Sequence, residues 1–459
     1  MEAPAWRPRS LWGTLTTGND KGPAVHLKYR RSCRACGSSA LTPVTDLGDQ
    51  YLQGSFVKPG RASPPMRRIP LSLVRCDPTR DEHACGLLQL SHSTPPQVLY
   101  SVYWYRSGTN NTMRTHLTSI ADEAASLVRK GDARVLDIGS NDGTLLRAYP
   151  ETYSRFGIDP SDIAMESAGG LTIIQDLFPS ADLHARAGGE PFDIITSIAM
   201  FYDVEDPVAF VSEIKSLLAD EGVWALEVSY MPRMLEQNAY DTICHEHLEY
   251  YSLGVLEYIL AKAGMRLFGA SLNDINGGSI RCLATHRDNY SLDTAAGTRQ
   301  LDELRQREFD LQLDTDRPYR EFQDRIEAHR EELRALLRVI KQSGQRIHVY
   351  GASTKGNVLL QWCGIDNSII EFAADRNEEK YGARTLGTDI PIVSEAESRA
   401  MKPDYYLVLP WHFREEFVER ERETLERGVK MIFPLPNIEV VSIESMAANK
   451  EHLLVDDRS

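Results

Sequence analysis

The sequence predicts an α/β protein in which a small cysteine-bearing β unit precedes two Rossmann-like units, and three observations carry that prediction. Cys33-Arg34-Ala35-Cys36 stands near the start, followed by Cys76 and Cys85 among short alternating segments. A buried strand runs into a glycine turn at Arg134-Val135-Leu136-Asp137-Ile138-Gly139, and another does so at Ile347-His348-Val349-Tyr350-Gly351. Around both, strand-like and helix-like segments alternate. The 459 residues exceed one core, since domains usually hold roughly 100–200 residues, so three units is the working organisation.

Residues 1–28 lack the apolar run of a secretory signal and are expected to form a loose extension. The first unit, 29–100, contains Leu71-Ser72-Leu73-Val74 and Gly86-Leu87-Leu88-Gln89-Leu90, which suit a small β-rich knuckle. Seven cysteines, four of them in this region, do not make a disulfide framework. Thiolates are good ligands for tetrahedral zinc, and Cys33, Cys36, Cys76 and Cys85 are the expected set. The second pair is irregular: eight residues separate Cys76 from Cys85, so either a loop is inserted or His83 is the true fourth ligand.

The second unit, 112–290, reads as a parallel α/β sheet. Its first strand ends in Asp137-Ile138-Gly139-Ser140-Asn141-Asp142-Gly143; the next, Phe156-Gly157-Ile158-Asp159, ends on a carboxylate, where open sheets bind ligands. Phe192-Asp193-Ile194-Ile195-Thr196-Ser197 and Gly222-Val223-Trp224-Ala225-Leu226-Glu227-Val228 supply later strands. Residues 295–345, rich in Glu, Arg, Leu and Gln, form a helical connector whose charges make a solvated face. The third unit, 346–440, repeats the strand, turn and helix pattern through Gly351-Ala352-Ser353-Thr354-Lys355-Gly356-Asn357. Beyond 441 no pattern is evident.

The turn at 137–143 brings backbone close to a ligand at two glycines and presents acidic side chains. Phosphates need amides and a helix N-terminus, whereas S-adenosylmethionine carries an amino group, a sulfonium and ribose hydroxyls, which carboxylates suit. Asp137, Gly139, Ser140, Asn141, Asp142 and Gly143 are therefore expected to form a cofactor site. Asp159 would take the ribose hydroxyls, Asp176 the adenine amino group, and Ser197 would line the same strand ends. An NAD site is disfavoured because the turn lacks GxGxxG.

Downstream lies Cys244-His245-Glu246-His247. Histidines two apart lack the HExxH spacing of a zinc hydrolase. In an extended segment His245 and His247 share a side, whereas a turn lets all three polar side chains converge. Histidine titrates near neutral pH and can remove a proton made acidic by an adjacent ketone.

A formal net charge of −15 without any basic block argues against a nucleic-acid surface. No apolar run approaches the roughly 20 residues of a membrane span. The expected setting is cytoplasmic, with no nucleic-acid or membrane partner. The acidity leaves a phosphorylated small molecule open, because a few local cations or helix N-termini hold a diphosphate.

Taken together, the cysteine knuckle, Tyr103-Trp104-Tyr105-Arg106-Ser107-Gly108-Thr109, the 137–143 loop, the HEH cluster, Asn276-Gly277-Gly278-Ser279-Ile280-Arg281 and the 351–357 turn resemble the sugar C-methyltransferases. Those enzymes methylate nucleotide-linked 4-keto-deoxysugars in antibiotic pathways, and the likeness spans nearly all the chain after residue 30. The resemblance implies an N-terminal zinc-binding domain, a central class I methyltransferase domain and a C-terminal Rossmann-like domain that helps hold the nucleotide sugar. It implies that a base takes the proton beside the keto group and that the enolate attacks the methyl sulfonium. On that likeness His247 is the base, Glu246 and His245 orient the sugar or the base, and Tyr103 or Tyr105 touches the sugar. Cys244, Asn276, Gly278, Ser279 and Arg281 would lie on the substrate side, with Lys355 and Asn357 at the diphosphate or nucleotide.

Two departures stand out. Many members of that family carry Tyr where this chain has Cys244, and some carry His where it has Asp203; either change bears on the carbon methylated or on the group that polarises the ketone. The expected activity is C-methylation of a nucleotide-linked keto-deoxysugar by a monomer or weak homodimer. The alternatives are an O- or N-methyltransferase of a natural product and a non-catalytic sugar-nucleotide binding module.

Overall fold

In the computed structural model the segment Ile69–Cys76 is buried along nearly its whole length, because it lies inside an antiparallel sheet and not at an edge. The structure describes residues 26–446 apart from 62–63, 65, 96–98 and 100–104, together with the strand Trp12–Thr14. The order of this first sheet is Glu249–Tyr250, Leu88–Leu90, Ile69–Cys76, Leu41–Gln50. Its outer strand Glu249–Tyr250 comes from the central unit, two residues beyond His247, and pairs with Leu88 and Gln89.

The central sheet has seven strands, in the order Thr172–Ile174, Ser154–Ile158, Arg134–Ile138, Phe192–Ile198, Leu218–Ser229, Ser279–His286, Met265–Asn273. The first five run parallel, and Ser279–His286 is antiparallel to both of its neighbours. Helices cover both faces, which explains the near-continuous apolar strands RVLDI and FDIITSI. Chain order reverses at Arg134–Ile138, whose neighbours are the second strand on one side and the fourth on the other. Such a switch point opens a crevice beyond the strands' carboxyl ends.

The third sheet repeats this plan, in the order Ile392–Ser394, Phe372–Asp375, Ile347–Tyr350, Tyr405–Val408, Lys430–Phe433, Glu439–Val441. Only the last strand is antiparallel, and the switch falls at Ile347–Tyr350. The connector is two helices, Ala295–Asp310 and Arg317–Gln342. The longer one buries Tyr319, Phe322, Ile326, Leu333, Leu337 and Ile340 in the core of the third unit. That spacing of three, four and seven makes one apolar stripe, and the charges face outward. The connector is thus divided: Arg317–Gln342 belongs to the third unit, whereas Ala295–Asp310 places Leu301 and Leu304 in the core of the central unit. Among the described residues, no helix is long and apolar enough to cross a membrane.

Candidate active site

The carboxyl ends of the central sheet and of the third sheet open onto one cleft of about 830 Å³. On the central side it is lined by Asp137, Gly139, Ser140, Asn141, Asp159 and Asp176. Gly139 takes φ +77°, where a Cβ would press on Met200 at 3.0 Å, so only glycine turns the backbone there without strain. Asp159 accepts the Asn141 amide at 2.9 Å and the Ser161 amide at 2.8 Å. Asp137 accepts from the Thr196 hydroxyl at 2.7 Å, and burial pushes its carboxyl up to about 7. Asp176 caps its own loop, accepting from the Leu177 amide and the Ser180 hydroxyl. Beside it Phe178 meets Phe210 edge-on at 4.9 Å, an apolar wall suited to an adenine ring. Carboxylates, close backbone and an aromatic wall fit S-adenosylmethionine.

The remaining members of the expected cofactor set do other work. Asp142 accepts the Gly108 amide at 2.7 Å and the Thr144 hydroxyl at 2.6 Å, closing the 107–109 turn onto the loop. Gly143, at φ +73°, starts the helix Thr144–Ala148. Ser197 is fully buried and accepts from the Trp224 indole at 2.9 Å, so its hydroxyl serves the core rather than the cleft.

The HEH segment is a bend in which the His247 amide bonds the Cys244 carbonyl. It turns Glu246 and His247 into the cleft and His245 away. The His247 ring packs against Tyr202 with centroids 4.3 Å apart, and its Nδ1 donates to the Thr242 carbonyl at 2.8 Å. A carbonyl only accepts, so Nδ1 carries the proton of the neutral ring and Nε2 keeps its lone pair. Burial and the Lys355 ammonium push this imidazole down to about 3. Burial pushes the Glu246 carboxyl up to about 7, and a Cβ on Gly54 would strike that carboxyl.

His245 is buried behind the bend, with Nδ1 at 2.8 Å from Gln53 Oε1 and Nε2 at 3.1 Å from the Ile69 carbonyl. It ties the HEH bend to the knuckle instead of facing substrate. Cys244 is buried in the apolar core beside it, its thiol pushed well up. Asp203 and Tyr105 line the cleft, Tyr105 half-exposed; Tyr103 lies outside the described residues.

On the substrate side, Asn276 and Lys355 line the cleft and meet, Nζ donating to the Asn276 carbonyl at 2.5 Å. Gly278 (φ +112°) lets the chain pass Arg233, and Ser279 donates to the Ile275 carbonyl, so both shape the turn from behind. Arg281 is held away by Glu123 and Glu227. Asn357 is buried and donates to the Gln53 carbonyl at 2.7 Å, which docks the third unit on the first. Gly54, Tyr202, Glu227 and His412 also line the cleft. No local motif singles them out; Trp411-His412-Phe413, directly after a strand end, is the nearest to a signal.

In the knuckle, the sulfurs of Cys33, Cys36, Cys76 and Cys85 all lie within 4.8 Å of one another. Cys33 and Cys85 are 3.6 Å apart, Cys36 and Cys76 3.4 Å. A tetrahedral ion with Zn–S of about 2.3 Å sets its sulfurs about 3.8 Å apart, so the four thiolates fit zinc. The His83 side chain is 85% exposed beside Glu82 and outside this group, which leaves Cys85 as the fourth ligand. Arg34, inside the CxxC turn, donates to the Leu90 and His92 carbonyls and locks the turn on the sheet.

Three family profiles match along the chain: a zinc binding domain at 33–100, a methyltransferase domain at 110–268 and a C-methyltransferase C-terminal domain at 274–436. The chain is 30% identical over 420 residues to C-methyltransferase NovU of Streptomyces niveus, covering 90% of this chain and 97% of that protein. It is 34% identical over 100 residues to the ubiquinone biosynthesis O-methyltransferase of Haemophilus ducreyi, covering 20% of this chain and 42% of that one. An S-adenosylmethionine-dependent methyltransferase from Clostridium acetobutylicum aligns with a TM-score of 0.32 at 13% identity, covering 38% of this chain and 92% of that one.

Proposed function

Because the chain belongs to the C-methyltransferase family and is an S-adenosylmethionine-dependent methyltransferase, we propose that it methylates the carbon beside the keto group of a nucleotide-linked keto-deoxysugar. The setting is natural-product sugar biosynthesis, in the cytoplasm. The observation that carries this is His247, a neutral imidazole lining the cleft with Nδ1–H fixed on the Thr242 carbonyl. An O- or N-methyltransferase has no need of a base beside a ketone.

Bound S-adenosylmethionine supplies an electrophilic methyl group. His247 Nε2 takes the proton from the carbon next to the ketone, and the Thr242 carbonyl steadies the imidazolium that results. Glu246, which burial keeps partly protonated near neutral pH, orients the sugar by donating to a ring substituent. Asp159 and Asp176 hold the ribose and adenine, so that the methyl group faces the nucleophilic carbon.

Incubating the enzyme with keto-sugar nucleotides in deuterated water without cofactor tests this. The wild type washes deuterium into the position beside the ketone, and mass spectrometry across a substrate panel names the sugar. His247→Asn loses that exchange and slows methylation by about 10²–10⁴-fold, the usual contribution of a general base, while S-adenosylhomocysteine still binds. No exchange by the wild type, with His247→Asn fully active, would overturn C-methylation in favour of transfer to oxygen or nitrogen.

A further inference from the structure

Among the described residues, five lysine and arginine side chains line the cleft: Arg106, Lys355, Arg376, Lys380 and Arg420. Four of them face carboxylates. Arg106 pairs with Glu166 and Glu379, Arg376 and Arg420 with Glu395 and Glu416, and Lys380 with Asp375. Lys355 differs, donating instead to the main-chain carbonyl of Asn276 at 2.5 Å. Burial lowers the Lys355 ammonium from its usual value while the Asp241 carboxyl works the other way, and Asp241 is itself engaged by the Trp411 indole at 2.8 Å. An ammonium has three donors, and a carbonyl dipole does not cancel its charge.

The position of Lys355 is built with care. Asn276 adopts φ +56° in the turn that presents its carbonyl, and a Cβ on Gly277 would crowd the Trp411 ring at 3.3 Å. Turn, indole and lysine thus lock together at the seam between the central and third units. Burial and the Lys355 charge push both His247 and His412 down to about 3. The ammonium therefore stands within electrostatic reach of the proposed base and of a second cleft imidazole.

We propose that Lys355 Nζ donates to the substrate's keto oxygen and holds the enolate charge, instead of serving as a phosphate contact. The assignment rests on the C-methylation reading. The carbon-bound proton passes to His247 Nε2, and the C–H electron pair delocalises onto the oxygen beside Nζ, which keeps its own proton. The pair then forms the new bond to the methyl carbon as the thioether leaves, and His247 releases its proton to solvent. Preorganised charge at the oxygen that becomes negative is worth more in a dry cleft than in water.

Lys355→Met and Lys355→Arg test the assignment, with deuterium wash-in, kcat and KM for methylation, and calorimetric titration with S-adenosylhomocysteine, UDP and dTDP. The methionine variant is expected to slow both exchange and methylation by about 10²–10³-fold, as losing one such donor does. Nucleotide and S-adenosylhomocysteine affinities should stay near those of the wild type, and the arginine variant should recover part of the exchange. A large loss of nucleotide affinity, with exchange at saturating substrate unchanged, would make Lys355 a phosphate contact and overturn the proposal, as would unaltered exchange with unaltered binding. Melting curves establish folding, and Lys355→Gln replaces the methionine variant if that one does not fold. Failure of the wild type to exchange defeats the C-methylation reading itself, a result distinct from any of these.

Discussion

The central and third units anchor their turns in the same way and surround them with different charges. In the first, Gly139 sits at φ +77° and Asp159 accepts the amides of Asn141 and Ser161. In the second, Gly351 sits at φ +85° and Asp375 accepts the amides of Ala352 and Asn377, at 2.9 and 2.8 Å. The two turns share this pattern, yet Asp375 also faces the Lys380 ammonium at 3.2 Å, whereas the bonds to Asp159 come from uncharged groups. The central lip carries Asp137, Asp159 and Asp176; the opposite lip carries Lys355, Arg376, Lys380 and Arg420 interleaved with Asp375, Glu395 and Glu416. Flanking side chains, not the turn, decide which ligand each side suits.

Breaking the two anchors separately gives the largest expected contrast. Asp159→Ala should weaken S-adenosylhomocysteine binding by about 10–100-fold, the loss of one or two hydrogen bonds to a charged group. Asp375→Ala should leave that affinity unchanged and weaken UDP or dTDP binding instead. Calorimetry on both variants reads the contrast directly, and equal effects on both ligands would erase the distinction drawn between the lips.

A smaller effect follows from pH, with opposite sign on the two sides. Burial raises Glu246 from 4.5 to about 7, so the folded chain keeps a proton that the unfolded chain has released. Stability at this site therefore falls as pH rises from about 4.5 through 7, and Glu246→Gln should flatten the trend. Arg414 holds Glu439 below its usual value, so that contribution is present above about 4.5 and is lost as pH falls further. Hydrogen exchange followed from pH 4 to 8 should show the HEH bend loosening toward the alkaline end and the strand Glu439–Val441 toward the acid end. Both regions loosening toward the same end would refute these assignments.

Much of this molecule was legible in the sequence wherever the chemistry is contiguous. The 137–143 turn, the carboxylate ending the next strand and the second turn at 351–357 each lie within a few residues, so spacing alone places them. Direction was not legible. His245 and His247 look alike in sequence, and what separates them is that Gln53 and the Ile69 carbonyl take both nitrogens of the first ring, whereas the Thr242 carbonyl takes only Nδ1 of the second. Ser197 was lost to the core by Trp224, the residue that claims its hydroxyl. Arg281 was drawn off by Glu123 and Glu227. Cys85 could not be chosen over His83 until the loop between Cys76 and Cys85 showed which of them faces solvent.

The pairing of Glu249–Tyr250 with Leu88–Leu90 makes the chain hard to cut. A boundary drawn near residue 100 would separate a sheet from its own edge strand and leave Leu88–Leu90 with unpaired amides and carbonyls, an invitation to aggregate. The same strand begins two residues after His247, so the knuckle and the HEH bend must move as one piece. A chimaera that exchanges only the first hundred residues with a relative would thus inherit a foreign strand partner, and with it a shifted His247. A graft of the third unit has to start before residue 317, so that it carries the helix Arg317–Gln342 that fills its core, and it still meets the first unit where Arg384–Thr385 pairs with Phe56–Val57.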